Sequence, residues 1–263
     1  LDADALEMSI LREVATKGAR ARLSVGQPED VARHLIEARA PGKLFVTGEY
    51  AVLVGAPAVV AAVDRYAHVR LELTAGPGPL VVESEAEGRT ATIERPLDGP
   101  VPGGDAGAVV AALRAVGRSE TSGRAVVDSR AFLVGERKLG LGRSSATLAA
   151  ATVALLGSAS KDTILGSALA ANACFQDGLG SGADVAASVY GGVVEVTRSD
   201  DGLRVVSRRL PPGVQLVAGW TAGDSGAGVS LAAGTGTAAA SASWEGAAGM
   251  PMGNSGGGTG LTL

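Results

Sequence analysis

The feature that most constrains this chain is a glycine loop running directly into a helix with no polar face. The loop reads Lys138-Leu-Gly-Leu-Gly-Arg-Ser-Ser-Ala146, and the stretch from Ser145 to Leu156 behind it is apolar all round. A helix of that kind must be buried on every side, so other layers have to cover it. Gly140 and Gly142 let backbone approach a ligand closely, and Ser144 and Ser145 bring hydroxyls to a helix N-terminus, where unpaired N–H groups and the macrodipole favour an anion. No Gly-Lys-[Ser/Thr] closes the loop, so it is not a Walker A motif. In isolation the same residues also describe an ordinary glycine turn with a serine cap.

Two further segments carry chemistry. Ala40-Pro-Gly-Lys-Leu-Phe-Val-Thr-Gly-Glu-Tyr50 places Lys43 at the entrance to an apolar strand, where an unpaired ammonium is costly, so a carboxylate or phosphate is the expected partner. A strand-edge lysine reaching solvent is the plainer alternative. Gly180-Ser-Gly-Ala-Asp-Val-Ala-Ala-Ser-Val-Tyr-Gly-Gly192 sets Asp184 among small residues that leave room for a ligand, and by itself it also reads as a helix-capping aspartate.

Composition removes several classes of function. Glycine supplies 39 of 263 residues and aromatics only 3%, so the core has to be built from Ala, Val and Leu with backbones close together. A net charge of −4 gives no electrostatic footprint for nucleic acid. One cysteine, Cys174, excludes a disulfide framework, and two histidines, His34 and His68, leave little for a histidine-built metal centre. The longest apolar run, Ala51 to Val63, is broken by Gly55 and Pro57 and falls short of the ~20 residues of a membrane span. The expectation is a soluble, cytoplasmic protein acting on small molecules.

Along the chain, residues 1 to about 38 show helical spacing through Leu6, Ile10, Leu11 and Val14. Short strands are expected at Leu44 to Val46, Ala51 to Val54, Val69 to Leu73, Leu80 to Glu83 and Ala125 to Leu133. Helices are expected at Ala106 to Val116, Ser145 to Leu156, and Thr163 to Phe175 with Asp162 as cap. Val193 to Val196 reads as a strand, and Val205 to Leu210 and Val214 to Trp220 as a strand pair about Pro211-Pro212-Gly213. From Ala222 to Leu263 only Asp224 and Glu245 are charged, with no period of 2 or 3.6, which predicts a low-complexity tract rather than a folded domain.

Taken together and in this order, the three segments resemble the GHMP kinases, and within them the phosphomevalonate kinases, over about residues 36 to 221. Gly48-Glu49-Tyr50, Gly180 to Tyr190 with Gln176 just upstream, and Gly219-Trp220-Thr221 carry the likeness. The resemblance implies an α+β fold: an N-terminal lobe with a ribosomal-protein-like βαβ unit and left-handed crossover, followed by a smaller C-terminal lobe. It implies transfer of the γ-phosphoryl group of ATP to 5-phosphomevalonate, with Mg²⁺, in isoprenoid precursor synthesis, and no nucleic-acid or membrane partner. Gly140, Leu141, Gly142, Arg143, Ser144, Ser145 and Ala146 would wrap the ATP phosphates, Ser144 also holding Mg²⁺. Lys43 and Asp184 would be catalytic, with Asp184 orienting Lys43. Lys138, Glu49, Tyr50, Ser181 and Gly182 would bind substrate, while Arg65, Arg70 and Arg137 read as solvated surface charge.

Two departures accompany the likeness. Arg143 stands at the first serine position of the family loop, or is inserted before the serine pair. After Thr221 the family continues into several helices and strands, whereas this tail offers only Ser225-Gly-Ala-Gly228 and Ser255-Gly-Gly-Gly258 as echoes of a closing glycine motif. The expected organisation is therefore a helical extension at 1–35, a catalytic domain at 36–221, and a tail at 222–263 standing where an incomplete or replaced C-terminal lobe would be. The alternatives are another GHMP kinase acting on a hydroxyl, such as mevalonate kinase, and a nucleotide-binding fragment without turnover.

Overall fold

The computed structural model describes residues 18–25, 34–74, 77–212, 214–221, 228–235 and 238–242. In chain order the elements are β1 (Arg20–Val25), β2 (His34–Thr47), β3 (Ala58–Thr74), β4 (Leu80–Ser84), β5 (Arg89–Ile93), α1 (Gly104–Ala115), β6 (Ser122–Asp128), β7 (Leu133–Val134) and β8 (Arg137–Lys138). They continue with α2 (Arg143–Leu156), α3 (Lys161–Phe175), α4 (Ala183–Tyr190), β9 (Val193–Ser199), β10 (Gly202–Arg208), β11 (Val214–Thr221), β12 (Gly228–Thr235) and β13 (Ala238–Ala242). This is the α+β class that the sequence implies.

The main sheet runs β1-β2-β3-β6-β4-β5, with β9 and β10 added beside the first half of β3. The long strand β3 serves two neighbours on the same edge: Ala58 to Ala61 pair with β9, and His68 to Thr74 pair with β6. Only β4 and β6 run parallel; the other pairs in this sheet are antiparallel. Strand β2 slips register against β3 between Pro41 and Gly42, immediately before Lys43. Such a bulge twists and bends a strand locally.

The helices form the second layer. Helix α2 is buried along most of its length, Ser145 through Leu155, and packs on β2, β3, α1 and α3. Its alanines permit the short interaxial distances that a core poor in aromatics requires. Helix α4 lies against β2, α2 and α3. A second cluster of Leu44, Val63, Ala67, Phe132, Leu139, Leu141 and Ala146 sits beneath the glycine loop. Phe132, presented by a 3₁₀ turn at Arg130–Phe132, is the bulkiest fully buried side chain among the described residues. Burying a leucine contributes about 1.5–3 kcal/mol, so Leu139 and Leu141 fasten the loop to β2.

Several local expectations are corrected. Residues 20–25 and 34–38 are strand, not helix, because they pair with each other and with β3; the stripe Leu6, Ile10, Leu11, Val14 lies outside the described residues. Ala51–Val54 is a 3₁₀ turn rather than a strand, closed by Gly55 in the left-handed region. Strand β6 ends at Asp128, and the residues expected to extend it to Leu133 turn into the Phe132 segment. Ser160, not Asp162, caps α3, accepting the Thr163 amide at 3.1 Å. Strand β10 pairs with β9, and β11 with β12, so the pair expected about Pro211-Pro212-Gly213 does not form. The tail expected to lack folded structure contributes β12 and β13, which form a three-stranded sheet with β11.

Candidate active site

Lys43 and the glycine loop are joined through the backbone. The Lys43 amide donates to the Leu141 carbonyl at 2.8 Å, just past the register shift between β2 and β3. Gly42 permits the approach, since a Cβ there would fall on the Leu141 carbonyl oxygen and the Phe132 ring. Gly142 returns the contact. It holds the left-handed conformation at φ 77°, and a Cβ on it would lie 2.6 Å from Cγ of Lys43. The aliphatic stem of Lys43 thus runs across the mouth of α2, and Nζ lies 4.7 Å from the centroid of the Phe45 ring.

The third segment is tied to strand β3 through a glycine that follows α4. Ala62, the partner of Lys43 in the β2–β3 register, donates its amide to the Gly192 carbonyl at 2.8 Å. Asp184 is half-buried in the first turn of α4 and accepts the Val185 amide at 2.9 Å. Lys43 and Asp184 form no ion pair, which differs from the expected orientation of one by the other. Ser181 accepts the Ala183 amide at 3.3 Å, and Gly182 at φ 75° ends the turn into α4.

Within the loop the expected phosphate ligands divide. Gly140 and Ser144 are exposed. Leu141, Ser145 and Ala146 are buried, and the Ser145 hydroxyl is spent on the Gly142 carbonyl at 2.9 Å. Arg143 points away into an ion pair with Glu87, with Nε 3.8 Å from Asp105. Lys138, on β8, is exposed and lines a cleft of about 390 Å³ together with Ala86, Glu87, Arg89, Glu136 and Arg143. Glu49 and Tyr50 are exposed in the turn that leads from the end of β2 into the 3₁₀ segment Ala51–Val54.

Sequence reasoning missed Asp105. It is 1% exposed in the first turn of α1, and its carboxylate accepts the hydroxyls of Ser84 at 2.7 Å, Ser129 at 2.8 Å and Thr147 at 3.2 Å. These residues lie 21 to 42 positions away in the chain, and no local spacing announces them. Among the described residues no group of three or more His, Cys, Asp or Glu side chains converges to hold a metal. Nor is any helix among them long and apolar enough to cross a membrane.

No protein-family model matches the chain. A phosphomevalonate kinase from a Streptomyces species is 34% identical over 225 residues, covering 75% of this chain and 58% of the relative. The chain therefore spans a little over half the length of that relative. Among solved structures, Streptococcus pneumoniae phosphomevalonate kinase in complex with phosphomevalonate and AMPPNP superposes with a TM-score of 0.52 at 17% identity, covering 65% of this chain and 58% of that one. Methanococcus jannaschii mevalonate kinase gives 0.51 at 18% identity, with 70% and 57% covered.

Proposed function

Because this chain carries the GHMP-kinase fold and is similar in sequence to a phosphomevalonate kinase, we propose that it transfers the γ-phosphoryl group of ATP to 5-phosphomevalonate, giving 5-diphosphomevalonate and ADP. The observation that supports this most is the Lys43–Leu141 backbone bond with Gly142 packed on the lysine stem. It sets an ammonium beside a glycine loop and a helix N-terminus, the combination of donors and positive charge that phosphoryl transfer uses.

Each residue then has a physical task. The exposed Gly140 and Ser144, with the N-terminal amides of α2, receive the β- and γ-phosphates. Mg²⁺ would bind mainly through the ATP phosphates, and the exposed Ser144 hydroxyl is the loop's ligand for it. When bound, it neutralises charge that develops on the phosphates. An acceptor phosphate oxygen attacks the γ-phosphorus, and the β–γ bridging oxygen leaves with ADP. Because a phosphate monoester has its second pKa near ~6, the acceptor is already ionised at neutral pH. Lys43 therefore stabilises the transferring group, and Asp184 tunes local charge.

A hydroxyl acceptor such as mevalonate is the second reading, favoured by one observation. Asp184 is not tied up by Lys43, and a carboxylate with that freedom suits a general base. An ADP-release assay separates the two. On 5-phosphomevalonate, Lys43→Ala is expected to lose about 10²–10³-fold in kcat, as for removal of one transition-state donor, and Asp184→Asn less than tenfold. Turnover of mevalonate alone, or a loss confined to Asp184→Asn, would overturn the leading assignment.

A further inference from the structure

The arginine that interrupts the loop is placed where a cation is electrostatically unwelcome. Arg143 is the first residue of α2, and a helix N-terminus already carries partial positive charge. It is nonetheless withdrawn from solvent, its side chain only 14% exposed, and faces two carboxylates of 13% and 1% exposure, Glu87 and Asp105. Glu87 sits in the turn between β4 and β5. Its Oε1 also accepts the Asp105 amide at 3.3 Å, and its Oε2 accepts Nε of Arg89 at 2.8 Å. The Ser84 hydroxyl, while donating to Asp105, accepts the Glu87 amide at 3.2 Å. One connected group thus links the start of α2, the start of α1 and the β4–β5 turn.

Resting on the kinase reading above, we propose that Arg143 is a positioning residue for the nucleotide loop, acting through Glu87 and Asp105 and not as a phosphate ligand. The reason is the cost of release. Were the guanidinium to swing onto a phosphate, the largely buried ion pair with Glu87 would break and Asp105 would keep only its hydroxyl donors, and breaking a buried pair is strongly unfavourable. Held in place, Arg143 fixes the direction in which the first turn of α2 presents its amides. A planar guanidinium can meet both carboxylates at once, which a lysine ammonium cannot do in the same geometry.

The test is a double-mutant cycle of Arg143→Gln and Glu87→Gln, with Arg143→Lys as the conservative variant. Two readouts are taken: the Kd of MgADP by calorimetry, and hydrogen exchange across residues 139–147 without nucleotide. Both single variants are expected to weaken ADP by about tenfold and speed exchange in that segment. The double variant should be no worse than Arg143→Gln, and Arg143→Lys should recover only part of the loss. The result for Glu87→Gln is diagnostic, because deleting a negative charge near a phosphate site would by itself tighten ADP. Unchanged or tighter ADP binding in Glu87→Gln beside weak binding in Arg143→Gln would make Arg143 a direct phosphate ligand and overturn the proposal. If the parent chain binds no ADP, the kinase reading fails, and exchange alone decides this one: non-additive loosening supports the tie, additive or absent loosening overturns it.

Discussion

Replacing Gly142 by alanine examines the contact that joins Lys43 to the loop. The residue holds φ 77° and ψ 43°, and an L-residue in the left-handed region costs about 1–2 kcal/mol. The new methyl would also stand 2.6 Å from Cγ of Lys43 and 2.8 Å from Oγ of Ser145, so both side chains must move. Loss of the Ser145 bond to the Gly142 carbonyl adds about 0.5–1.5 kcal/mol. A total near 2–3 kcal/mol corresponds to a fall in Tm of roughly 4–12 °C for a domain of this size. Displacing the lysine by an ångström is expected to cost ~10²-fold in turnover, beyond the stability effect. Gly117→Ala isolates the backbone contribution, because Gly117 has φ 72° with nothing within 4 Å of an added Cβ. Thermal melts followed by circular dichroism, paired with ADP release, should show both variants losing stability and only Gly142→Ala losing rate. A Gly142→Ala protein with the melting point and turnover of the parent would refute the packing of Lys43 on the loop.

Two other measurements bear on the surrounding frame. Asp105→Ala leaves three buried hydroxyls without their acceptor and Arg143 without one carboxylate, and is expected to cost about 3–5 kcal/mol by urea titration; a loss under ~1 kcal/mol would contradict the network. Burial, and then the hydrogen bond to Asp162, push the Tyr190 phenol up to about 12 from an ordinary value of 10.0. Its contribution to stability is therefore complete below pH 10 and lost as pH rises towards 12, so Tyr190→Phe should flatten the alkaline limb of a pH–stability curve.

What could be read from the chain alone follows the range of the forces involved. The glycine loop, Lys43 and the α4 segment were legible because each is a local pattern whose residue types answer to a backbone requirement. The buried helix α2 was legible because it has no polar face. Its neighbours were placed to within a few residues, yet the cap of α3 was misassigned, since Ser160 and Asp162 both suit the role and only geometry chooses between them. Strands β12 and β13 were hidden because Ala, Gly and Ser carry little alternation of hydropathy, and their pairing with β11 is settled by backbone bonds. Strand β10 was assigned the wrong neighbour because proximity in sequence favoured β11, whereas a tight turn at Asp200 and Asp201 returns it to β9. The Asp105 group was invisible, being assembled from α1, β4, the segment after β6 and α2.

The sharing of β3 also has a consequence for biosynthesis. Ala58 to Ala61 cannot complete their hydrogen bonding until Val193 to Val196 have left the ribosome, about 130 residues later. At ~5–20 residues per second the nascent chain spends roughly 7–26 s with that apolar edge unmatched. Throughout that interval the unpaired edge is open to whatever other strand can reach the place that β9 will take.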